Sequence, residues 1–159
     1  MIPFRALLLL TPILLTSSSC DQDNAGSATS QDLRLKSTMT LYRLDGDRYP
    51  GDSVPDSAIL LHDWPVLQVC PIDLPATQQR LLNALDEGIA NGGGVPVDCY
   101  NPRHAIRMES NTDTTDYMIC FQCRNYEVWD GEQRVGGGLI SKSPESTFNE
   151  VLENCFPND

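Results

Sequence analysis

Alternating apolar and polar positions predict strands in two regions of the chain. Residues 38–44, TMTLYRL, alternate, are rich in strand formers and stop at an Asp-Gly-Asp turn, so they predict a first strand. Short apolar runs at 58–62 and 64–69 predict one or two edge strands, because Pro65 lacks a backbone donor and biases its neighbour away from helix.

A second group of extended segments lies in the middle of the chain. Residues 103–109, 115–129 and 132–140 are separated by short polar turns, and this spacing predicts an antiparallel meander of three consecutive strands. Three glycines at 136–138 interrupt the last strand. We interpret them as a bulge or a close backbone approach rather than as a phosphate-binding loop.

Apolar positions at helical spacing predict two amphipathic helices. The first spans residues 75–90, with Pro75 in its first turn and an Asn-Gly-Gly-Gly stop after it. Ser143 and Pro144 predict the cap and first turn of a second helix, which ends near Cys155. The fold class predicted from these elements is α+β, with a small antiparallel β-meander sheet packed with two amphipathic helices.

The start of the chain has the layout of an export signal. Residues 1–19 hold one positive charge, a short apolar run and a stretch of small residues, and Cys20 follows them. This arrangement resembles a bacterial lipoprotein signal, which implies that Cys20 carries palmitate and other acyl chains as a membrane anchor. Ser17 stands where that signal usually has an aliphatic residue, so secretory cleavage with a free Cys20 is the alternative. Residues 20–36 then predict a flexible polar tether, and residues 37–159 a single globular domain.

The signal also implies a place in the cell envelope, with the domain facing the periplasm. Asp21 directly after the lipid cysteine favours the inner membrane, and the outer membrane is the alternative. The formal net charge of −11 disfavours nucleic acid and anionic lipid surfaces, so an envelope protein or cell-wall component is the expected partner. Glu109, Asp113 and Asp116 cluster near a predicted hairpin turn, and we interpret them as solvated.

Export to an oxidising compartment makes disulfides the expected state of the five cysteines in the domain. We pair Cys70 with Cys155, because the other three cluster in the meander. Closing the long loop between them contributes about 4 kcal/mol in the chain-entropy model. Cys99 is expected to bond Cys120 or Cys123. The spacing of three puts Cys120 and Cys123 on opposite faces of a regular strand, where they cannot bond each other without a bulge or turn.

Two alternatives stay open for the meander cysteines. They can be buried or partly free thiols, or they can form a zinc site with a histidine, built from Cys99, Cys120, Cys123 and His104. Such a site lacks the second closely spaced ligand pair that is typical of structural zinc, so no metal and no cofactor are assigned.

Two segments, CYNPRHAIR at 99–107 and DYMICFQC at 116–123, carry a further resemblance. They resemble an uncharacterised family of small exported bacterial proteins with the pattern C-[FY]-x-P-R-H-[GA]-I-R followed by D-x-x-I-C-F-x-C. The likeness extends from Leu60 to Leu152 and implies no activity. It implies a common unit of the three meander cysteines with Pro102, Arg103, His104 and Arg107, to which Cys70 and Cys155 are additions.

We therefore expect a non-enzymatic binding or interaction module of the cell envelope. Arg103, His104 and Arg107 are the candidate ligand-facing residues, because the two arginines would share one strand face and could take a carboxylate or phosphate. Pairing of these arginines with nearby acidic side chains is the competing interpretation. The alternative function is a thiol, redox or zinc protein in which Cys120 or Cys123 works with His104, and no catalytic residue is assigned.

Overall fold

This computed structural model describes residues 37–48, 52–95 and 99–157 of the chain. The predicted signal, the lipid site Cys20 and the tether lie outside the described residues. The described part contains seven strands and two helices. The strands are β1 (Thr38–Leu44), β2 (Leu60–Leu61), β3 (Trp64–Ile72), β4 (His104–Glu109), β5 (Thr114–Cys120), β6 (Asn125–Asp130) and β7 (Gln133–Leu139), and the helices are α1 (Pro75–Ala90) and α2 (Glu145–Cys155).

The strands form one curled antiparallel sheet in the order β2-β3-β1-β4-β5-β6-β7. The α+β class is confirmed, and the meander comprises the four consecutive strands β4 to β7. The sheet is larger than the predicted meander because β1 pairs with β3 on one side and with β4 on the other. The first strand in the sequence therefore lies inside the sheet and joins the meander to the β2–β3 hairpin.

The prediction of one long strand over 115–129 is wrong. A four-residue turn, 121–124, separates β5 from β6, and Cys120 pairs with Asn125 across it. Arg124 adopts a left-handed backbone with φ 56°, which reverses the chain direction. Phe121 and Cys123 belong to the turn but are buried and apolar. For this reason the turn has the composition of a strand, and the sequence pattern does not reveal it.

The helices follow the predicted boundaries closely. α1 spans the predicted 75–90, and α2 ends at Cys155. The predicted serine cap of α2 is wrong, because Pro144 is the N-cap residue and no side chain bonds the first backbone N–H groups. The Ser143 hydroxyl instead lies 2.8 Å from that of Ser141.

The sheet buries side chains on both faces. The helices cover one face, the helix side, whose core includes Leu41, Ile72, Leu81, Leu85, Ile106, Ile119, Phe148 and Leu152. The opposite face, the hairpin side, carries a smaller core to which the β2–β3 hairpin contributes, formed by Leu44, Leu61, Trp64, Ala105 and Met118. Successive residues of β4 and β5 alternate between these two cores, as the period of a strand requires.

Two disulfides connect these elements. Cys70 of β3 bonds Cys155 at the end of α2, with 6.0 Å between their Cα atoms. Cys99 bonds Cys123 in the β5–β6 turn, with a Cα separation of 5.8 Å. Both pairings are among those expected from the sequence. Cys120 is a free, buried thiol.

Candidate functional site

A cavity of about 450 Å³ lies between the start of β4, the β5–β6 turn and the start of α2. We call it the Arg103–His104 pocket. His104 and Phe121 form its buried part, since both are at most 5% exposed. Arg103, Gln122, Lys142 and Glu145 line its more accessible part. Two of the three residues that the sequence marked as ligand-facing therefore lie at one cavity.

Strand alternation places His104 on the helix side. It shares this face of β4 with Ile106 of the helix-side core, and its ring meets Phe121 and Phe148 edge to face at centroid distances of 5.3 and 5.9 Å. Such aromatic contacts are favourable arrangements for buried rings. The imidazole is therefore held in a fixed orientation at the inner end of the pocket.

The hydrogen bonds of His104 determine what its two ring nitrogens can do. Nε2 lies 2.9 Å from Oδ1 of Asn149, and because an amide oxygen can only accept, Nε2 donates the proton. In the neutral ring Nδ1 is then a lone-pair acceptor. This Nδ1 atom is buried and has no hydrogen-bond partner among the described residues.

The surroundings keep the His104 ring neutral. The pKa of His104 is lowered to about 4, chiefly because burial disfavours the charged ring; the Asn149 hydrogen bond opposes this shift, and the positive charges of Arg43 and Arg103 add to it. At neutral pH the ring is therefore neutral, and its Nδ1 is a buried acceptor that solvent does not reach. Buried acceptors without a partner are uncommon in folded proteins, so this one requires an explanation.

The accessible part of the pocket combines two cations with nearby carboxylates. The Arg103 guanidinium donates to Gln122 Oε1 at 2.7 Å and pairs with the carboxylate of Asp47. Lys142 lines the rim and forms no ion pair with the residues that the structure describes, while Glu145 supplies one negative charge. Two cations therefore reach this cavity in a chain of formal net charge −11, accompanied by Glu145 and by Asp47, the partner of Arg103.

Arg107 does not belong to this pocket. It lies on the hairpin side, where its Nε and Nη2 donate to the two carboxylate oxygens of Asp116, each at 2.8 Å. This bidentate hydrogen bond is the largest cause of the raised pKa of Arg107. Each arginine thus pairs with an acidic side chain, and the two guanidinium groups do not form one shared patch.

Asp116 belongs to a buried charged network that the sequence did not indicate. Its carboxylate also lies 2.7 Å from Nε2 of His62, and the side chains of His62 and Asp116 are 3% and 1% exposed. His62 and Asp63 form the β2–β3 turn with φ of 47° and 70°, and the His62 ring stacks on Trp129 at 4.2 Å. Interpreting Asp116 as solvated was therefore wrong.

Two signals could have pointed to this network. In β5, Asp116 is followed directly by apolar residues, and this pattern is typical of a strand inside a sheet. A buried position for Asp116 was therefore compatible with the sequence. His62-Asp63 between two apolar runs has the position of a two-residue hairpin turn. Neither signal names the partner, because 54 residues separate His62 from Asp116.

The free thiol lies across the sheet from the pocket histidine. Cys120 follows Met118 on the hairpin side by strand alternation, whereas His104 faces α2. The Cys120 sulfur accepts the backbone N–H of Cys123 at 3.2 Å. His104 is therefore not placed to act as a base for this thiol.

The zinc arrangement considered from the sequence is not assembled, because Cys99 and Cys123 are bonded to each other. Within 37–48, 52–95 and 99–157, His, Cys, Asp and Glu side chains form no group of three or more that could hold a metal ion. Among the same residues, no helix has both the length and the apolar character needed to cross a bilayer.

Comparison with known proteins gives no relative from which a function could be transferred. The chain has no significant match to a protein-family model, to a curated protein or to a solved structure. The resemblance in segments 99–107 and 116–123 therefore stays a prediction. The geometry of the pocket is the remaining evidence for a function.

Proposed function

We propose that the protein is a binding module of the cell envelope, anchored through a lipid on Cys20, which holds its ligand in the Arg103–His104 pocket. The domain faces the periplasm in this proposal, and its partner is an envelope protein or a cell-wall component rather than a nucleic acid. The inner membrane is the favoured location because Asp21 follows the anchor. No reaction is part of this proposed role.

One observation carries the proposal: a cavity with a buried wall formed by His104 and Phe121 has two cations, Arg103 and Lys142, at its accessible part. Lys142 forms no ion pair with the residues that the structure describes, so a ligand with an anionic group can pair with it. The cavity volume of about 450 Å³ lies in the usual range of small-ligand sites.

Site-directed photo-crosslinking in native envelopes tests this role. A photoreactive side chain replaces Gln122, which is exposed at the pocket, or Glu132, which is exposed in the β6–β7 turn at the other end of the strand. We expect a defined adduct from position 122 that is absent from position 132. The same adducts from both positions, or none from position 122, would contradict a ligand site at the pocket.

The anchor has its own test. Cells that grow with a labelled fatty acid should transfer the label to the wild-type protein and not to a Cys20→Ser variant. An unlabelled wild-type protein would remove the lipoprotein part of the proposal and leave the pocket argument unchanged, because the two parts depend on different residues.

A second candidate function, thiol–disulfide exchange, rests on the contact between Cys120 and Cys123. The Cys120 sulfur lies 3.2 Å from the backbone nitrogen of Cys123, and Cys123 is the disulfide partner of Cys99. After losing its proton, Cys120 attacks the Cys123 sulfur, a Cys120–Cys123 bond forms, and Cys99 leaves as a thiolate that takes up a proton. The exchange conserves electrons and moves the free thiol to the exposed Cys99.

Alkylation of the native protein distinguishes this second function. If exchange occurs, peptide mapping should find the label on Cys99 in the wild type and no label on Cys99 in a Cys120→Ser variant. A wild type whose Cys99 stays unlabelled, and whose Cys120 reacts only after unfolding, would exclude exchange.

A further inference from the structure

A second cavity, of about 630 Å³, lies at the end of β4, whereas the Arg103–His104 pocket lies at its start. We call it the N-terminal cavity, because Ser37 and Thr38, the first residues that the structure describes, form part of its wall. We propose that it is the docking site of the preceding residues of the same chain, 32–36, DLRLK. This docking is independent of a lipid on Cys20 and of a ligand in the Arg103–His104 pocket.

The chain enters the domain at this cavity. Thr38 pairs with Glu109 at the ends of β1 and β4, and Met39 pairs with Met108. Residues 32–36 are therefore within a few extended residues of the cavity wall, since each one advances the chain by about 3.3 Å. A segment attached in this way docks without the loss of translational freedom that a separate partner incurs. This favours the chain's own segment as the occupant.

The apolar part of the cavity matches the two leucines of the segment. Met108 and Tyr117 line the cavity at the edge of the helix-side core, and they are 6% and 9% exposed. In an extended continuation of β1, Leu33 and Leu35 share the face of Met39, which belongs to the same core. Docking thus continues the apolar face of β1 over the accessible edge of this core.

The charges of the segment and of the cavity are complementary. Glu109 and Asp113 line the cavity and form no ion pair with the residues that the structure describes. In the same extended continuation, Lys36 is a diagonal cross-strand neighbour of Glu109, and Arg34 follows on the same face. Basic residues are the minority charge of the chain, 11 against 22 acidic ones, so this basic pair favours the segment over the acidic surface of a second copy.

Hydrogen exchange of the purified mature protein, read by mass spectrometry, tests the docking. We expect the amides of residues 33–36 to exchange about tenfold more slowly than in the free peptide QDLRLKST, because pairing along β4 or with the cavity wall protects them. Exchange at the rate of the free peptide would overturn the proposal. Protection that increases with protein concentration would overturn it as well, because the segment would then dock into a second copy.

A matched pair of variants tests the apolar contact. Leu35→Ser should lower the protection about fivefold, whereas Gln31→Ser, just outside the docked segment, should leave it unchanged. Both positions precede the first described strand, so neither substitution removes a side chain from the two cores. Protection in Leu35→Ser equal to that of the wild type would overturn docking through the leucines.

A double-mutant cycle tests the charged contact. Lys36→Gln and Glu109→Gln should each lower the protection about twofold, and the double variant should lower it no further, because both substitutions remove the same ion pair. Each chain is compared with its own free peptide, so that intrinsic exchange rates cancel. Fully additive effects, or none, would contradict the placement of Lys36 beside Glu109.

Discussion

His104 is nearly fully buried between two phenylalanines, and burial disfavours the charged form of its imidazole. The same burial leaves Nδ1 without a partner and keeps it an acceptor at neutral pH. Burial of this ring therefore determines both its protonation state and a part of the pH dependence of folding. A change that gives solvent access to the ring should alter both.

Acid should destabilise the protein through His104. Its pKa is about 4 in the folded state and 6.5 in an unstructured peptide, so the unfolded chain binds the extra proton between these values. Stability should be highest above about pH 6.5 and fall by about 3 kcal/mol as the pH decreases towards 4. Urea unfolding of the wild type and of His104→Gln at several pH values measures this contribution. A difference between the two proteins that does not change with pH would contradict it.

Asp116 should be the carboxylate whose neutralisation destabilises the fold most. Asp116→Asn leaves Arg107 and His62 with a weaker partner in a buried setting and should lower the free energy of unfolding by about 3 kcal/mol. Asp113→Asn is the matched control at an exposed position and should change it by less than about 0.5 kcal/mol. Equal effects in denaturant unfolding would show that the buried network contributes nothing.

The two histidines, His62 and His104, differ in how much of their role can be predicted from the sequence. His104 could be selected because its residue type and its strand are visible in the chain, but its unpaired nitrogen depends on Asn149, 45 residues away. The position of His62 in a hairpin turn was visible in the sequence, but its role was not, because that role comes from Asp116 and Trp129, which are remote in sequence. Hydrogen-bond partners across a fold are not encoded in local pattern.

At the scale of elements, the glycines of β7 differ in what they tolerate. A Cβ atom on Gly137 would lie 2.5 Å from the carbonyl oxygen of Tyr126, and φ is 155° at this position, whereas a Cβ on Gly136 would meet only Val128, at 3.9 Å. Gly137→Ala should therefore destabilise the protein by about 2 kcal/mol, and Gly136→Ala by much less. Thermal unfolding of the two variants measures the difference. Equal melting temperatures would contradict the close approach of β6 and β7.

The disulfide between β3 and α2 should be a major source of stability. It closes a loop with a sequence separation of 85, for which the chain-entropy model gives about 4 kcal/mol. A double variant, Cys70→Ala with Cys155→Ala, should unfold at a clearly lower denaturant concentration while keeping the spectrum of an α+β protein. An unchanged midpoint would show that packing of α2 alone holds this end of the fold.

Elements with a clear period were predictable, and the turn of 121–124 was not. α1 and β1 have the predicted limits because each shows one uninterrupted apolar pattern. The turn is built from Phe121 and Cys123, which are buried against the rest of the protein, so its composition is that of a strand. A turn that packs into the core lacks the polar composition by which turns are usually recognised.

At the scale of the whole molecule, the sheet is covered on both faces. The helices cover one face, and the β2–β3 hairpin, held by the His62–Asp116 contact, contributes to the core of the other. Class and helix number follow from the sequence pattern. The position of β1 between β3 and β4 does not, because strand order depends on long-range pairing that no local pattern specifies.

Nitrogen NMR of the purified protein with isotope-labelled histidine reports the proton on each ring nitrogen of His104, and so it tests the neutral, buried ring that forms the inner wall of the pocket. At neutral pH, Nε2 should carry the proton and Nδ1 should have the resonance of a bare acceptor. A proton on Nδ1 at neutral pH would contradict both the hydrogen bond from Nε2 to Asn149 and the neutral state of the ring.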